Sequence, residues 1–450
     1  MNFLMQAQPA WLLQLRRFAL SWQGIAAQAA LAGLMVLLGT EVAGIAIFIV
    51  LFCAFAVLCD NLLATATPFL LPCLFLIQTQ NTTALDRFLP FAWLVAIPVA
   101  AMLFHLWRYR VKLTMGRATW AWFAVSIATM LGGLGYISAA EYFAALTIYH
   151  VLALGFGMLA AYVWLSSAIA QSSTNELPRF FSNLMVSLGL VASFMVVHYY
   201  LVHLLKGGSL EVLEFQWRNN VSSFLMLSLP FSFFKALQRP AWLLAAMAMF
   251  ASMLLSGSRG GLLFGSVLLA GCILFLVLAD KKRRKYYIIA LVAASIGLVL
   301  TLRQWLPFFV PTLRRTLDSL RHGNEDARAL IWQRGWEDFL RRPLLGTGLG
   351  YMGNRDVHPS LPGALCWYHN SAIQIIGSMG IAGVLAYGYM YIMRFVIFLR
   401  QRSTFHYTLL LSWLGIEMMS LVNPGVFAPI PYLLVVVMLM VMAEKYTKTK

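Results

Sequence analysis

Apolar runs long enough to cross a bilayer return along almost the whole chain, near 24–40, 42–59, 62–78, 88–107, 119–138, 144–170, 181–205, 219–236, 241–256, 260–280, 286–306, 370–399, 406–422 and 428–443. A helix needs about 20 apolar residues to span the hydrocarbon, where every backbone polar group must be satisfied internally. Several runs fall short of that length, so the pattern predicts an all-α, polytopic membrane bundle of about twelve to fourteen transmembrane helices. Charged residues make up 11% of the chain. An ordinary soluble domain carries about 25% and is excluded. The five cysteines lie at no zinc-ligand or CxxC spacing, which points to neither a metal site nor a disulfide framework.

One long polar interlude breaks the pattern. Residues 307–369 separate a first bundle segment, 1–306, from a second, 370–450, and between 311 and 369 the chain places eight arginines and six acids. Two short helices are expected inside the interlude. The first runs from Pro311 to about Arg321. The second starts at a cap on Asn324, carries Ala329, Trp332, Trp336, Phe339 and Leu340 on an apolar stripe, and ends at Arg341 and Arg342 before Pro343. Near the start of the chain, Trp11, Leu12, Leu13, Leu15, Phe18 and Trp22 with Arg16 and Arg17 suggest a helix lying in the membrane interface.

Positive residues in short loops stay on the cytoplasmic side. With both ends inside, nineteen Lys and Arg fall on one face, including the run 281–285, and the short loops opposite hold five: Arg87, Lys206, Arg218, Arg259 and Arg303. The +17 net charge is then mainly a property of the inner surface, suited to membrane lipids rather than nucleic acid. The same assignment sends Arg218, Arg259 and the whole interlude to the external face. Arg218 opens one apolar run and Arg259 stands at the turn between two others, so either can also be read as an interfacial anchor.

Three further features mark the interlude. Arg328 lies one turn into the second expected helix, where it is either a solvated charge or a phosphate contact. PLLGTGLGYMGN contains a formal GxGxxG at Gly348, Gly350 and Gly353, but no strand precedes it, so it is not read as a dinucleotide site. Its glycines suit a tight turn over a pocket, with backbone N–H groups available to an anion. His369 precedes Asn370, a natural cap for the next helix. There the positive helix end favours the neutral imidazole, the form that accepts a proton. The glycines at 257, 261 and 265 suggest close helix packing behind Arg259.

Taken in order, RNNVSSFLMLSLP, SGSRGGLLFG, ARALIWQRGWEDFLRRPLLGTGLG and HNSAIQIIGSMGIAGVL resemble the O-antigen ligase family over about residues 215–385. The resemblance implies a GT-C-like helical architecture and an inverting, metal-independent glycan transfer, with no cofactor, at the external face of the bacterial cytoplasmic membrane. It implies an undecaprenyl-pyrophosphate-linked glycan as donor and a glycan or lipid hydroxyl as acceptor. By the same resemblance Arg218 and Arg259 correspond to arginines that hold the carrier's pyrophosphate, His369 to an essential histidine, and Arg328 to an arginine opening the loop helix. Asn370, Gly348 and Gly350 would support the site. Ligation to a lipid A core and polymerisation of lipid-linked repeats both fit this donor site. A lipid-linked glycan flippase would also need a basic cavity, although its charges should line a path to both faces.

Overall fold

Helix accounts for the regular backbone structure: a computed structural model of the protein is 81% helix, with no strand among the described residues. The structure describes residues 9–76, 93–140, 143, 145–170, 172, 176–208, 217–301, 303–304, 310, 314, 317, 327–350, 367–427 and 431–446. The chain runs α1 (Ala10–Leu20), α2 (Trp22–Leu38), α3 (Glu41–Leu58), α4 (Ala96–Arg108), α5 (Thr119–Ala128), α6 (Ala145–Leu152), α7 (Met158–Ala170), α8 (Leu177–Leu205), α9 (Arg218–Ala236), α10 (Trp242–Leu255), α11 (Arg259–Ala279), α12 (Arg284–Leu300), α13 (Ala327–Arg341), α14 (Ser371–Leu399), α15 (Thr404–Met419) and α16 (Pro431–Lys445). Most of the first expected interlude helix, with Asn324, Gly353, His322 and His358, lies outside the described residues.

This is a polytopic helical membrane protein. Among the described residues five helices are long and apolar enough to cross, Glu41–Leu58, Thr147–Ser167, Leu177–Leu205, Arg259–Ala279 and Ser371–Leu399, and six if α1 and α2, bent by 65°, are one span. The difference from the fourteen apolar runs of the sequence has physical causes. The runs near 62–78, 88–107 and 241–256 form shorter apolar helices. α9 is studded with Ser and Asn, and it lies inside the bundle, buried from Asn220 to Phe233. There its hydroxyls find protein partners: Ser223 bonds back to the Asn219 carbonyl (2.8 Å) and Ser222 meets the Ser256 hydroxyl (2.7 Å). A polar helix is tolerable in a membrane protein where neighbouring helices, not lipid, satisfy it.

α14 is broken. A straight helix would hold Ser371 and Tyr391 about 30 Å apart. Yet the Ser371 N–H donates to the Ser420 carbonyl (2.9 Å) and the Tyr391 hydroxyl to Glu417 (2.9 Å), near neighbours at the end of α15. The break is at Gly380, with φ 57° and ψ −152°. It frees carbonyls at the end of one half-helix and N–H groups at the start of the next. The segment from Pro343 to Gly348 takes up both sets. Thr347 and Gly348 donate to the carbonyls of Gly377 (3.0 Å) and Ser378 (2.9 Å), while Ile381 and Ala382 donate to those of Pro343 (2.8 Å) and Leu344 (3.1 Å). Behind it, Leu349 donates to the Gly133 carbonyl (2.8 Å) and Ser138 to that of Gly346.

Below the break, Arg394 is buried and paired with Glu417 (2.9 Å), which also accepts from Trp413 (2.8 Å). That pair locks the second half of α14 to α15.

Candidate functional site

Three helices begin at one place. α9 opens with Arg218, α11 with Arg259 and α14 with Ser371, directly after His369 and Asn370. The first two starts are stitched together. Ser258 caps α11 by accepting from the Gly261 N–H (3.0 Å), and its own hydroxyl donates to Asn219 (2.8 Å) beside Arg218. Ser222 and Ser256 make a second link one turn further in. Gly261 has to be glycine here, because a Cβ would stand 2.6 Å from the Ser222 hydroxyl oxygen. Tyr200 of α8 fixes the preceding turn by donating to the Leu255 carbonyl (2.7 Å). Losing both bonds of the Ser258 hydroxyl, Ser258→Ala is expected to lower stability by about 1–2 kcal/mol. Thermal unfolding in detergent checks this, and an unchanged unfolding temperature would remove the stitch from the account.

The third start reaches the other two through residues 419–424. Asn370 caps α14 as the sequence predicts, accepting from the N–H groups of Ala372 (2.9 Å) and Ile373 (3.2 Å), and its amide donates to the Leu421 carbonyl (3.0 Å). The Ser371 hydroxyl donates to the Pro424 carbonyl (3.1 Å). From the α11 side, a Cβ on Gly260 would stand 2.7 Å from the Met419 sulfur and 3.3 Å from Val422. Arg218 and Arg259 thus stand on two helix starts in direct contact, and His369 precedes a third that reaches them through residues 419–424; each start is the positive end of a helix dipole. The first-turn N–H groups of Gly261, Ala372 and Ile373 are taken by their caps, so what the arrangement offers an anion is the arginines and the field of the helix ends.

His369 is held in the left-handed region, φ 53°, one of two non-glycine residues so placed among those described. For a residue with a Cβ this costs about 1–2 kcal/mol, and it persists because both neighbours are anchored. On one side stands the Asn370 cap. On the other, Tyr368 is buried, its N–H donates to Gln374 (2.9 Å) and its hydroxyl to Asp338 (2.8 Å).

Asp338 belongs to α13 and is fully buried, with Arg334 at 3.6 Å. α13 therefore docks on α14 through Ile331, Gly335 and Asp338, a face that the apolar periodicity does not select. The expected stripe is left largely open, with Trp336 and Leu340 exposed. Arg328 sits two turns before Gly335, about 10 Å further along the helix axis, half-buried.

Gly348 and Gly350 are buried, and the loop turns tightly as expected: Gly346 and Gly348 have φ of 70° and 85°. The amides of Gly346, Thr347, Gly348 and Leu349 are not anion donors, however, since all four bond to protein carbonyls. These glycines brace α14 and so act on His369 from a distance. Sequence reasoning also passes over Trp367, which packs against His150 of α6 (5.9 Å between rings), and the whole 419–424 segment.

The model of the O-antigen ligase family matches residues 244–388, a stretch that holds Arg259, Arg328, Gly348, Gly350, His369 and Asn370, with Arg218 outside it. A search of curated proteins returned no match to the chain. Over residues 244–388 this helical membrane protein is similar to the O-antigen ligase family, and the similarity covers most of the motifs that the fold brings to one cluster of helix starts.

Proposed function

We propose that the protein transfers a glycan from undecaprenyl pyrophosphate to an acceptor hydroxyl, on the external face of the bacterial cytoplasmic membrane, with inversion at the anomeric carbon. The observation that carries the reading is the placing of Arg218, Arg259 and His369 at three helix starts, two in direct contact and the third reaching them through residues 419–424. In this reading the acceptor oxygen attacks the anomeric carbon as the bond from that carbon to the pyrophosphate oxygen breaks. The pyrophosphate departs with the electron pair, and His369 takes the proton from the hydroxyl. Charge grows on the leaving oxygens, and the fixed guanidinium groups of Arg218 and Arg259 hold it, with Arg328 as an auxiliary contact. Attack from the face opposite the leaving group inverts the centre.

The acceptor is assigned as the lipid A core or a similar lipid, with extension of a lipid-linked repeat as the second outcome. Purified protein in detergent, given a defined undecaprenyl-pyrophosphate glycan and each acceptor separately, tests the assignment. Product on one acceptor names ligase or polymerase, and no product on either defeats the transfer reading. Detergent has no sides, so a flippase would give nothing to detect. Arg259→Lys keeps the charge but loses the two-pronged geometry, and it is expected to lower kcat/KM for the donor about tenfold. Unchanged kinetics would remove Arg259 from the clamp.

A further inference from the structure

We propose that the side-chain amide of Asn423 donates a hydrogen bond to a phosphate oxygen of the carrier's pyrophosphate, beside Arg218 and Arg259. The inference rests on the reading above and adds a neutral donor to a cluster of charged ones. Asn423 lies in the segment that joins the three helix starts. Its chain neighbours are committed: the Leu421 carbonyl to Asn370, the Pro424 carbonyl to Ser371, and the Val422 side chain to the α11 start at Gly260. Asn423 itself is 5% exposed, and among the described residues its Nδ2 has no hydrogen-bond partner.

An amide carries two N–H donors. Buried with no acceptor they are costly, and an apolar side chain in the same place would avoid the cost. The arrangement makes physical sense where the acceptor arrives with a ligand. The surroundings say which kind of acceptor: two arginines and three positive helix ends make the local field favour an anionic oxygen. A bond from an amide N–H to such an oxygen is stronger than one to a neutral group. Asparagine suits the position because it donates without adding a third positive charge.

The test is equilibrium binding of undecaprenyl pyrophosphate to the purified protein in detergent, with unfolding temperatures measured on the same samples, for wild type, Asn423→Ala, Asn423→Asp and Arg259→Ala. Asn423→Ala breaks no hydrogen bond to the described residues. It is expected to unfold at or above the wild-type temperature while its Kd rises about tenfold. Asn423→Asp keeps the shape but replaces the donor with an acceptor-only carboxylate, and its Kd is expected to rise further. It carries the test alone should the alanine variant not fold. A wild-type Kd in Asn423→Asp, or a lower unfolding temperature with unchanged Kd in Asn423→Ala, overturns the proposal. If wild type does not bind the probe, or Arg259→Ala binds it equally well, the pyrophosphate reading itself fails. If Arg259→Ala loses binding and neither Asn423 variant does, only Asn423 is wrong.

Discussion

His369→Gly is expected to fold as stably as the wild type and to lose transfer by about 100- to 10,000-fold in kcat, the usual contribution of a general base. The two halves of this result have separate causes. The imidazole is the proposed proton acceptor, so any variant without it should lose the chemical step. The backbone at His369 is left-handed, φ 53°, a conformation that glycine adopts freely and that any side chain makes costly. His369→Ala removes the same base and keeps the strain. It should therefore be less stable than His369→Gly by about 1 kcal/mol. Unfolding temperature and single-turnover transfer, measured on both variants, check the two halves independently. Retained transfer in His369→Gly would take the base role from His369. A glycine variant less stable than the alanine one would show that the imidazole helps to hold the corner in shape.

Much of this corner is legible in the sequence because its signals are local. Asn370 reads as a cap because a short polar side chain before an apolar run has few other uses, and it caps α14 through two N–H groups. Of the glycines at 257, 261 and 265, Gly261 and Gly265 do mark close approaches, to Ser222 and Met253, while Gly257 makes the turn before α11 with φ 68°. The end of α13 at Arg341 is announced by Pro343, which is unfavourable inside a helix. The bundle itself follows from apolar runs that water would not tolerate.

What was not legible is non-local. α13 turns a small glycine and an acid toward α14 because Tyr368 supplies the partner, and nothing near Asp338 in the sequence reveals that hydroxyl. Arg394 lies within an apolar run and drops out of a count of loop charges, yet it finds Glu417 on the next helix. Residues 419–424 look like a plain connection between two runs. Their role comes from carbonyls and side chains that face three helix starts.

The break in α14 is the deepest case, and it gives the other large expected effect. Gly380→Ala should cost at least about 3 kcal/mol of stability, from a strained backbone and a steric clash together. At φ 57° and ψ −152° the backbone is in a region held almost entirely by glycine. The added Cβ would stand 2.5 Å from the Pro343 carbonyl oxygen and 2.7 Å from the Leu344 carbonyl carbon. Those two carbonyls accept the N–H groups of Ile381 and Ala382, so the clash falls on the bonds that make the break tolerable in a membrane. The sequence hides this, since GIAGVLAYGYM offers Gly380, Gly383 and Gly388 as equivalent breakers. Gly388 supplies the control within the same helix. A Cβ there meets nothing within 4 Å, and Gly388→Ala should be neutral or stabilising by up to about 1 kcal/mol. Unfolding temperatures of the two variants in detergent decide the matter, and equal temperatures would show that the Pro343–Gly348 brace yields easily. If the brace is as rigid as its four hydrogen bonds imply, Gly380→Ala should also depress transfer, because the half-helix it displaces begins at Ser371, two residues after His369.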